Sequence, residues 1–274
     1  MTSNRPRAPF FVLAHHRSGS NFLNDLLQAH PRLECINEPF SMHSGYFRQC
    51  DLDPWTREDF DATLLHRSLA SQEGLRAYLV DLRAYLSQSN QQRVIGFKDT
   101  LLFEKLGWLK AFLPSLKIVF LKRDLRAIVS SVLRTDLVQF WDYARRVPPA
   151  FAKIRPGYVS RTDSADTPAM AAEIVAMSVV TRYQLAERAI REFDHREVHL
   201  DDLMRNPEDE LAGIVDFLGV EADEGPLSFL QRRQAASRGG TFSSFRLPAE
   251  VQHGWEQHLS AAQLQAIDNV LQCH

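Results

Sequence analysis

Apolar residues occur along this chain in short blocks that alternate with segments of helical periodicity. Each block contains Val, Ile or Phe, and the blocks predict strands at 10–14, 33–37, 93–97, 117–121 and 196–200. Continuous apolar runs of this kind are typical of strands that are buried on both faces of a parallel sheet.

Helical periodicity occupies the intervals between these strands. In 71–87, for example, the apolar side chains recur on one face of a helix. Further helices are predicted at 20–29, 103–113, 124–134, 169–193, 208–218 and 261–272. Because strands alternate with helices, we predict a three-layer α/β fold in which a central parallel sheet of about five strands is flanked by helices.

The segment 136–168 interrupts this regular pattern. It mixes aromatic residues, Arg, Pro and Gly, and its periodicity is weak. Long irregular segments inside a compact domain usually act as functional lids or mobile loops. We therefore expect a single domain over 1–274, since a chain of this length can bury one substantial core, with 136–168 as a lid or binding insert.

Charge and composition exclude several classes of partner. Lys and Arg total 32 against 34 Asp and Glu, so no global basic field would attract nucleic acid or an anionic membrane. No segment approaches the roughly 20 apolar residues of a membrane span, and the apolar run near the N-terminus is too short for a secretory signal. Any anion site must therefore be local.

The three cysteines, Cys35, Cys50 and Cys273, form no CxxC pair and are odd in number. This usage argues against a disulfide framework and against a zinc site, and no other metal-ligand set is evident. We therefore predict a cytoplasmic protein without a bound metal.

The sequence FFVLAHHRSGSNFL at 10–23 predicts a buried strand that turns sharply into a helix. Such a turn leaves backbone N–H groups unpaired at the helix start, and these form an anion site together with the helix dipole. Gly19 would let the backbone approach a ligand closely. The polar residues of the turn add hydrogen-bonding groups and positive charge: Arg17, Ser18, Ser20 and Asn21. This turn, called the elbow below, predicts a phosphate or sulfate site; the alternative is a plain connection with Ser20 as N-cap.

A kinase P-loop fits the elbow poorly. The GxxxxGK[ST] pattern would align its defining positions with Ala14, Gly19, Ser20 and Asn21, so the first glycine, the lysine and the metal-binding hydroxyl are missing. A nucleotide kinase is therefore disfavoured. A non-catalytic nucleotide-binding protein stays open at this point.

A second anion signal lies in KIVFLKRDLRAIVSSVL, residues 117–133. Arg123 closes a predicted strand, and Ser131 follows eight positions later, a little over two helical turns. Both side chains are therefore expected to face the crevice at the carboxyl edge of the sheet. The alternative is that Arg123 pairs with a carboxylate such as Asp124 while Ser131 faces solvent.

The order of these motifs resembles the sulfotransferases that use 3′-phosphoadenosine-5′-phosphosulfate (PAPS) as donor, in their bacterial-like branch. In that family a [KR]SGT[TS]-like elbow holds the 5′-phosphosulfate, and an Arg and a Ser eight apart hold the 3′-phosphate. The stretches 198–220 and 237–260 are also similar to the family's Asn-Pro helix and its C-terminal basic-Gly loop. The resemblance runs with gaps over most of the chain, from about 10 to 270.

This resemblance implies a P-loop-like α/β fold and transfer of a sulfuryl group from PAPS to a hydroxyl of a small-molecule or glycan acceptor. It implies that the donor is held without a metal by Arg17, Ser18, Gly19, Ser20, Asn21, Phe22, Arg123, Ser131, Arg238 and Gly239. Phe22 stands where the family often has an adenine-stacking aromatic, whereas Leu200 replaces a Tyr of some members.

Catalysis would need positive charge at the leaving group and a base for the acceptor hydroxyl. Arg17 fits the first role, and Lys98 in VIGFKDT resembles the family's basic residue at the transferred group, the alternative being a surface lysine. Glu38 in INEPF is the leading base because it follows the second strand at the same predicted edge. The alternative is that Glu38 is an ordinary loop residue or an ion-pairing residue.

Other residues are rivals for the role of base. His15 and His16 lie in the elbow itself, and His16 is retained as a catalytic candidate. Asp99 follows Lys98, and Thr100 stands where some cytosolic relatives have their base histidine.

The acceptor itself is not specified by the sequence. Aromatic residues in 41–60 and 136–168 suggest a pocket suited equally to a glycan, a phenol or a lipid tail: Tyr46, Phe47, Trp55, Trp141 and Tyr143.

Overall fold

A computed structural model describes residues 6–41, 44–46, 73–100, 102–135, 147–160, 167–235 and 253–272. Its centre is a sheet of five parallel strands in the order β2-β3-β1-β4-β5. The strands are β1 Phe10–Ala14, β2 Leu33–Asn37, β3 Val94–Asp99, β4 Lys117–Lys122 and β5 Asp194–His199. The predicted α/β sheet is therefore confirmed, and each predicted run overlaps one strand.

The described helices fall between and after these strands. They are α1 Ser20–Gln28, α2 Glu73–Leu86, α3 Leu106–Phe112, α4 Leu125–Leu133, α5 Pro148–Ile154, α6 Pro168–Ala189, α7 Leu200–Arg205, α8 Pro207–Leu218, α9 Glu224–Ala235 and α10 Ala261–Gln272. Short 3₁₀ turns occur at Phe103–Lys105, Ile190–Glu192 and Gly254–Gln257. Among these described helices, none combines the length and the apolar character needed to cross a bilayer.

Three helices were not predicted, and each has a local reason. Helix α5 begins with two prolines inside the irregular segment, where proline is compatible with a first helical turn. Helix α7 has six residues, too few to show a period. Helix α9 carries a glycine and a proline in its first turn and has little apolar periodicity.

Burial varies strongly across the sheet. Every residue of β1 and β3 is buried, as the continuous apolar runs predict. In β5, by contrast, Val198 is the one buried residue, so the expectation of burial on both faces is wrong for this strand. Five of the six residues of β5 are polar or charged, so this edge strand has no continuous apolar run to bury.

The strand order places the end of β1 at a special position. From β1 the chain passes to β2 at one edge, returns to β3 beside β1, and then continues to β4 on the other side of β1. The order of the strands therefore reverses at β1. In open parallel sheets, ligands bind beyond the carboxyl ends of the strands at such a switch point.

The chain divides into two compact units. The first comprises Met1–Lys122 and Ala186–Arg246 and contains the whole sheet, and the second comprises Arg123–Leu185 and Leu247–His274. Within the second unit, Arg126 of α4 forms an ion pair of 2.6 Å with Asp268 of α10.

The irregular segment 136–168 is described at 147–160 and 167–168. Helix α5 lies within it, and the hydroxyls of Tyr158 and Ser160 donate hydrogen bonds to the buried Glu173 carboxylate of α6. These contacts attach the described part of the segment to α6. Its role as a lid, like the single-domain organisation, stays a prediction.

Candidate active site

The elbow between β1 and α1 is as sharp as the sequence predicts. Gly19 is the N-cap of α1 in the left-handed conformation, with φ 89° and ψ 18°. The N–H of Ser18 donates to the carbonyl of His15 at 3.1 Å, which closes the turn. Ser20 is the first helical residue rather than the N-cap.

The N-terminus of α1 has two features that favour an anion. Its N-cap residue, Gly19, has no side chain to cap the helix, and its first turn carries no acidic residue. The first N–H groups of any α-helix lack acceptors within the helix, and the helix dipole favours negative charge at this end. The elbow can therefore present backbone donors to a phosphate or a sulfate.

Gly19 is required both by backbone conformation and by space. A Cβ atom at this position would lie 2.8 Å from Cδ2 of Leu200 on α7. Leu200 is buried, so it has little room to move away. This residue, noted in the sequence as a replacement for Tyr, thus packs directly against the elbow.

Three predicted residues from three different elements meet at the carboxyl edge of the sheet. The Nζ of Lys98 on β3 donates to Oε1 of Glu38 at 2.7 Å and to Oδ1 of Asn21 on α1 at 2.9 Å. The Lys98 side chain is 0% exposed and that of Glu38 is 20% exposed. Lys98 is therefore not a surface lysine, and Glu38 supplies the opposite charge that a buried ammonium group needs.

Backbone hydrogen bonds hold the turn that carries Glu38. The N–H of Glu38 donates to the carbonyl of Lys98 at 2.7 Å, and Ser41 donates to the carbonyl of Glu38 through its N–H and its hydroxyl. The N–H of Phe40 donates to Oδ2 of Asp99 at 3.2 Å. Asp99, a rival candidate for the base, is buried and takes part in this structural contact.

Arg17 and Glu38 share an unusual backbone conformation. Within the described part of the chain, they are the two non-glycine residues with positive φ, 67° for Arg17 and 48° for Glu38. The left-handed conformation costs about 1–2 kcal/mol for such residues. Strained residues of this kind persist where the surrounding structure holds them, and they cluster at functional sites.

The elbow histidines are packed into the protein. His15 is fully buried, and its Nδ1 lies 2.9 Å from the carbonyl oxygen of His16. Because a carbonyl only accepts, Nδ1 carries the proton in this contact. The two imidazole rings lie 4.0 Å apart between centroids, and His16 is 8% exposed.

The second predicted anion site follows β4. Arg123 is the first residue after this strand, and its N–H donates to the hydroxyl of Tyr183 at 3.3 Å. Asp124 is the N-cap of α4, where its side chain accepts from the N–H of Ala127 at 3.0 Å. Ser131 on α4 is buried, so the alternative that it faces solvent is wrong.

Lys122, at the end of β4, has its charge matched by two carboxylates. Its Nζ lies 2.8 Å from carboxylate oxygens of both Glu187 and Glu197. Burial lowers the pKa of Lys122, but the two hydrogen-bonded carboxylates outweigh this effect and raise the pKa above its ordinary value. This basic residue therefore has a structural role next to Arg123.

The remaining predicted donor contacts are only partly described. Phe22 is buried and its ring packs near that of Phe229, with centroids 6.5 Å apart, so its contact with adenine stays a prediction. Arg238 and Gly239 lie outside the described residues.

The aromatic acceptor residues are likewise only partly described. Tyr46 is 48% exposed and stacks on Tyr78 of α2, a contact that sequence reasoning missed because no local pattern signals it. The other aromatic candidates lie outside the described residues: Phe47, Trp55, Trp141 and Tyr143.

Comparisons with solved structures find proteins of similar fold. The sulfotransferase domain of the Synechococcus PCC 7002 olefin synthase is 23% identical, with a TM-score of 0.53 over 99% of this chain and 96% of that domain. The sulfotransferase domain of the curacin biosynthetic pathway is 16% identical, with a TM-score of 0.51 over 97% and 98% of the two chains. Mouse sulfotransferase SULT7A1, complexed with PAP, is 12% identical, with a TM-score of 0.53 over 97% of this chain and 84% of that chain.

At these identities the solved structures show a shared fold. No curated protein sequence matches this chain significantly. A profile described as the sulfotransferase family matches residues 9–224, which is more than half of the chain. The chain belongs to the sulfotransferase family.

Proposed function

We propose that the protein transfers the sulfuryl group of PAPS to a hydroxyl of a small-molecule or glycan acceptor. The observation that carries this proposal is the contact of Lys98 with both Glu38 and Asn21. It joins a carboxylate, an ammonium group and the start of α1 at the strand ends where ligands bind in such sheets. Family membership supports the same reaction class.

The elbow is suited to the charge that develops in this reaction. As the acceptor oxygen attacks sulfur, the bond between sulfur and the bridging oxygen breaks, and the electron pair stays on the departing 3′,5′-bisphosphate. Backbone donors and a cation fixed near that oxygen lower the barrier without reorganisation. The start of α1 would supply the donors, and Arg17, two residues before Gly19, would supply the cation.

Glu38 is the proposed general base. In the transfer step the proton of the acceptor hydroxyl passes to its carboxylate. Lys98 fixes one carboxylate oxygen at 2.7 Å, and the partial exposure of the side chain gives an acceptor access. Arg123 and Ser131 are the proposed 3′-phosphate contacts, on the pattern of the family.

A non-catalytic bisphosphate-binding protein is the second candidate. Such a protein would need anion sites but no acid-base group beside them. Membership of the sulfotransferase family favours the enzyme, whereas the Lys98–Glu38 ion pair is compatible with both candidates.

Two measurements test the proposal together. Adenosine 3′,5′-bisphosphate without magnesium should raise the free energy of unfolding by about 2.7 kcal/mol at 100 times its dissociation constant, and ATP with magnesium should not. Sulfur-labelled PAPS should then transfer its label to at least one member of a panel containing a phenol, a monosaccharide and a long-chain alcohol. Stabilisation without any transfer, including to water, would favour the non-catalytic alternative. Stabilisation by ATP with magnesium alone would overturn both.

A further inference from the structure

Tyr78 of α2 contacts the turn that carries Glu38. Its hydroxyl donates a hydrogen bond of 2.9 Å to the carbonyl of Pro39, the residue directly after Glu38. Its ring stacks on that of Tyr46, with centroids 4.3 Å apart and planes 12° apart. Tyr78 thus joins a helix to a turn that is nearly forty positions away in the sequence.

This turn needs external support because Glu38 is held in the left-handed conformation, with φ 48°. Relaxation of Glu38 to an ordinary backbone conformation would lower its conformational free energy by about 1–2 kcal/mol and would move the carboxylate. Pro39 has no N–H group, so its carbonyl is the one backbone hydrogen-bonding group it offers. Tyr78 binds that group.

The Tyr78 hydroxyl stays protonated over the whole working range of an enzyme. Burial raises the pKa of Tyr78 to about 12, and the negative charge of Asp99 acts in the same direction, against a hydrogen bond with Ser44 that lowers it. The hydrogen bond to Pro39 is therefore present at any physiological pH.

We propose that Tyr78 is a positioning residue for the transfer reaction. It holds the Glu38–Pro39 turn so that the Glu38 carboxylate stays aligned with the acceptor hydroxyl. This inference rests on the proposed function of Glu38 as the base. Tyr78 does not need to touch the donor or the acceptor.

Tyr85 provides a matched control. It lies on the same helix two turns later, and its hydroxyl donates to Oε1 of Glu34 on β2 at 2.6 Å, not to the turn. Tyr78→Phe and Tyr85→Phe therefore remove the same atom from similar positions. We expect Tyr78→Phe to lower turnover about tenfold at unchanged donor KM, since small displacements of a catalytic group cost ten- to hundredfold. We expect Tyr85→Phe to leave turnover unchanged.

Amide hydrogen exchange gives a readout that does not depend on activity. The N–H groups of Glu38 and Phe40 lie in the turn and donate to the carbonyl of Lys98 and to Oδ2 of Asp99, both on β3. Loss of the Tyr78 anchor should loosen the turn and speed exchange at these two amides. Tyr85→Phe should leave them unchanged. Equal exchange in wild type and Tyr78→Phe would overturn the proposal.

The Glu38→Gln background separates this inference from the proposed function. If Tyr78 acts through Glu38, Tyr78→Phe should slow the wild type but should not slow Glu38→Gln any further. The reason is that the effects of two substitutions on turnover are not additive when the residues act together. An equal fall in both backgrounds would mean that Tyr78 acts elsewhere and would overturn the inference alone. Normal turnover in the single Glu38→Gln variant would instead overturn the proposed role of Glu38.

Discussion

Two strand-to-helix junctions in this protein share an architecture but differ in chemistry. Helix α1 follows β1, helix α4 follows β4, and both helices have nine residues. The first is capped by Gly19 and has no side-chain cap. The second is capped by the carboxylate of Asp124, which accepts from the N–H of Ala127.

This difference determines what each junction can offer an anion. Neither the N-cap residue nor the first turn of α1 supplies a carboxylate, so a ligand can supply the negative charge. At α4 the protein's own Asp124 already occupies that position. A phosphate there must be bound by side chains, for which Arg123 and Ser131 are the candidates. The proposed 5′-phosphosulfate site would thus depend on backbone conformation, and the proposed 3′-phosphate site on side-chain charge.

The largest effect is expected from Gly19→Ala. An alanine here would have to adopt a φ of 89°, which is strained for an L-residue, and its Cβ would lie 2.8 Å from the buried Leu200 side chain. The elbow donors should shift, and affinity for adenosine 3′,5′-bisphosphate should fall roughly hundredfold, equivalent to about 2.7 kcal/mol. Isothermal calorimetry measures this directly.

Gly219→Ala is the control for Gly19→Ala. Gly219 also has a positive φ, 77°, but it ends α8, and the nearest atom to its Cβ is the flexible end of Arg7. This variant should lose about 1–2 kcal/mol of stability and keep its bisphosphate affinity. Equal bisphosphate affinities in the two variants would mean that the backbone of the elbow does not bind the donor.

Arg123→Ala should have the next largest effect. Loss of a hydrogen-bonded charge costs about 1.5–3 kcal/mol, so bisphosphate affinity should fall roughly ten- to hundredfold. Turnover at saturating donor should change little, because the 3′-phosphate is remote from sulfur and its contact acts equally before and in the transition state. Arg126→Ala, which removes the ion pair with Asp268, should leave affinity unchanged. An unchanged dissociation constant for the bisphosphate in Arg123→Ala would mean that Arg123 does not bind it.

Asp124→Ala should mainly affect stability. Removal of an N-cap carboxylate costs about 1 kcal/mol of unfolding free energy. Asp124→Asn keeps an oxygen acceptor for the N–H of Ala127 and should recover most of that loss in urea denaturation. Bisphosphate binding should not weaken in either variant. Weaker binding in both would mean that the cap itself shapes the phosphate site.

Chelation of divalent metal ions is expected to leave turnover unchanged, which makes it the smallest of these effects. If protein cations and backbone amides stabilise the leaving bisphosphate at both junctions, turnover should survive EDTA. Activity lost on chelation and restored by magnesium would contradict this view of the two sites.

Local signals were sufficient to predict the elements that carry the site. The apolar run of β1 and the glycine after it predicted the elbow, and the position of Lys98 at a strand end predicted its place at the carboxyl edge. Parallel pairing then brings Asn37 beside Lys98, which places the next residue, Glu38, within its reach.

Contacts between distant segments could not be predicted in this way. Nothing near Tyr78 in the sequence indicates that its hydroxyl binds Pro39, because that contact depends on where α2 packs. The strained φ of Arg17 and Glu38 is visible only in three dimensions.

The central claim is that Glu38, fixed by Lys98, takes the proton of the acceptor hydroxyl. The direct measurement compares wild type with Glu38→Gln for bisphosphate affinity and for turnover with an acceptor that the wild type sulfates. Gln keeps an oxygen that Lys98 can bind but cannot take a proton, whereas Ala would leave a buried ammonium group without this partner. We predict unchanged affinity and a fall in turnover of about a hundredfold or more. Normal turnover in Glu38→Gln would contradict the account and direct the search for the base to His15, His16 and Asp99.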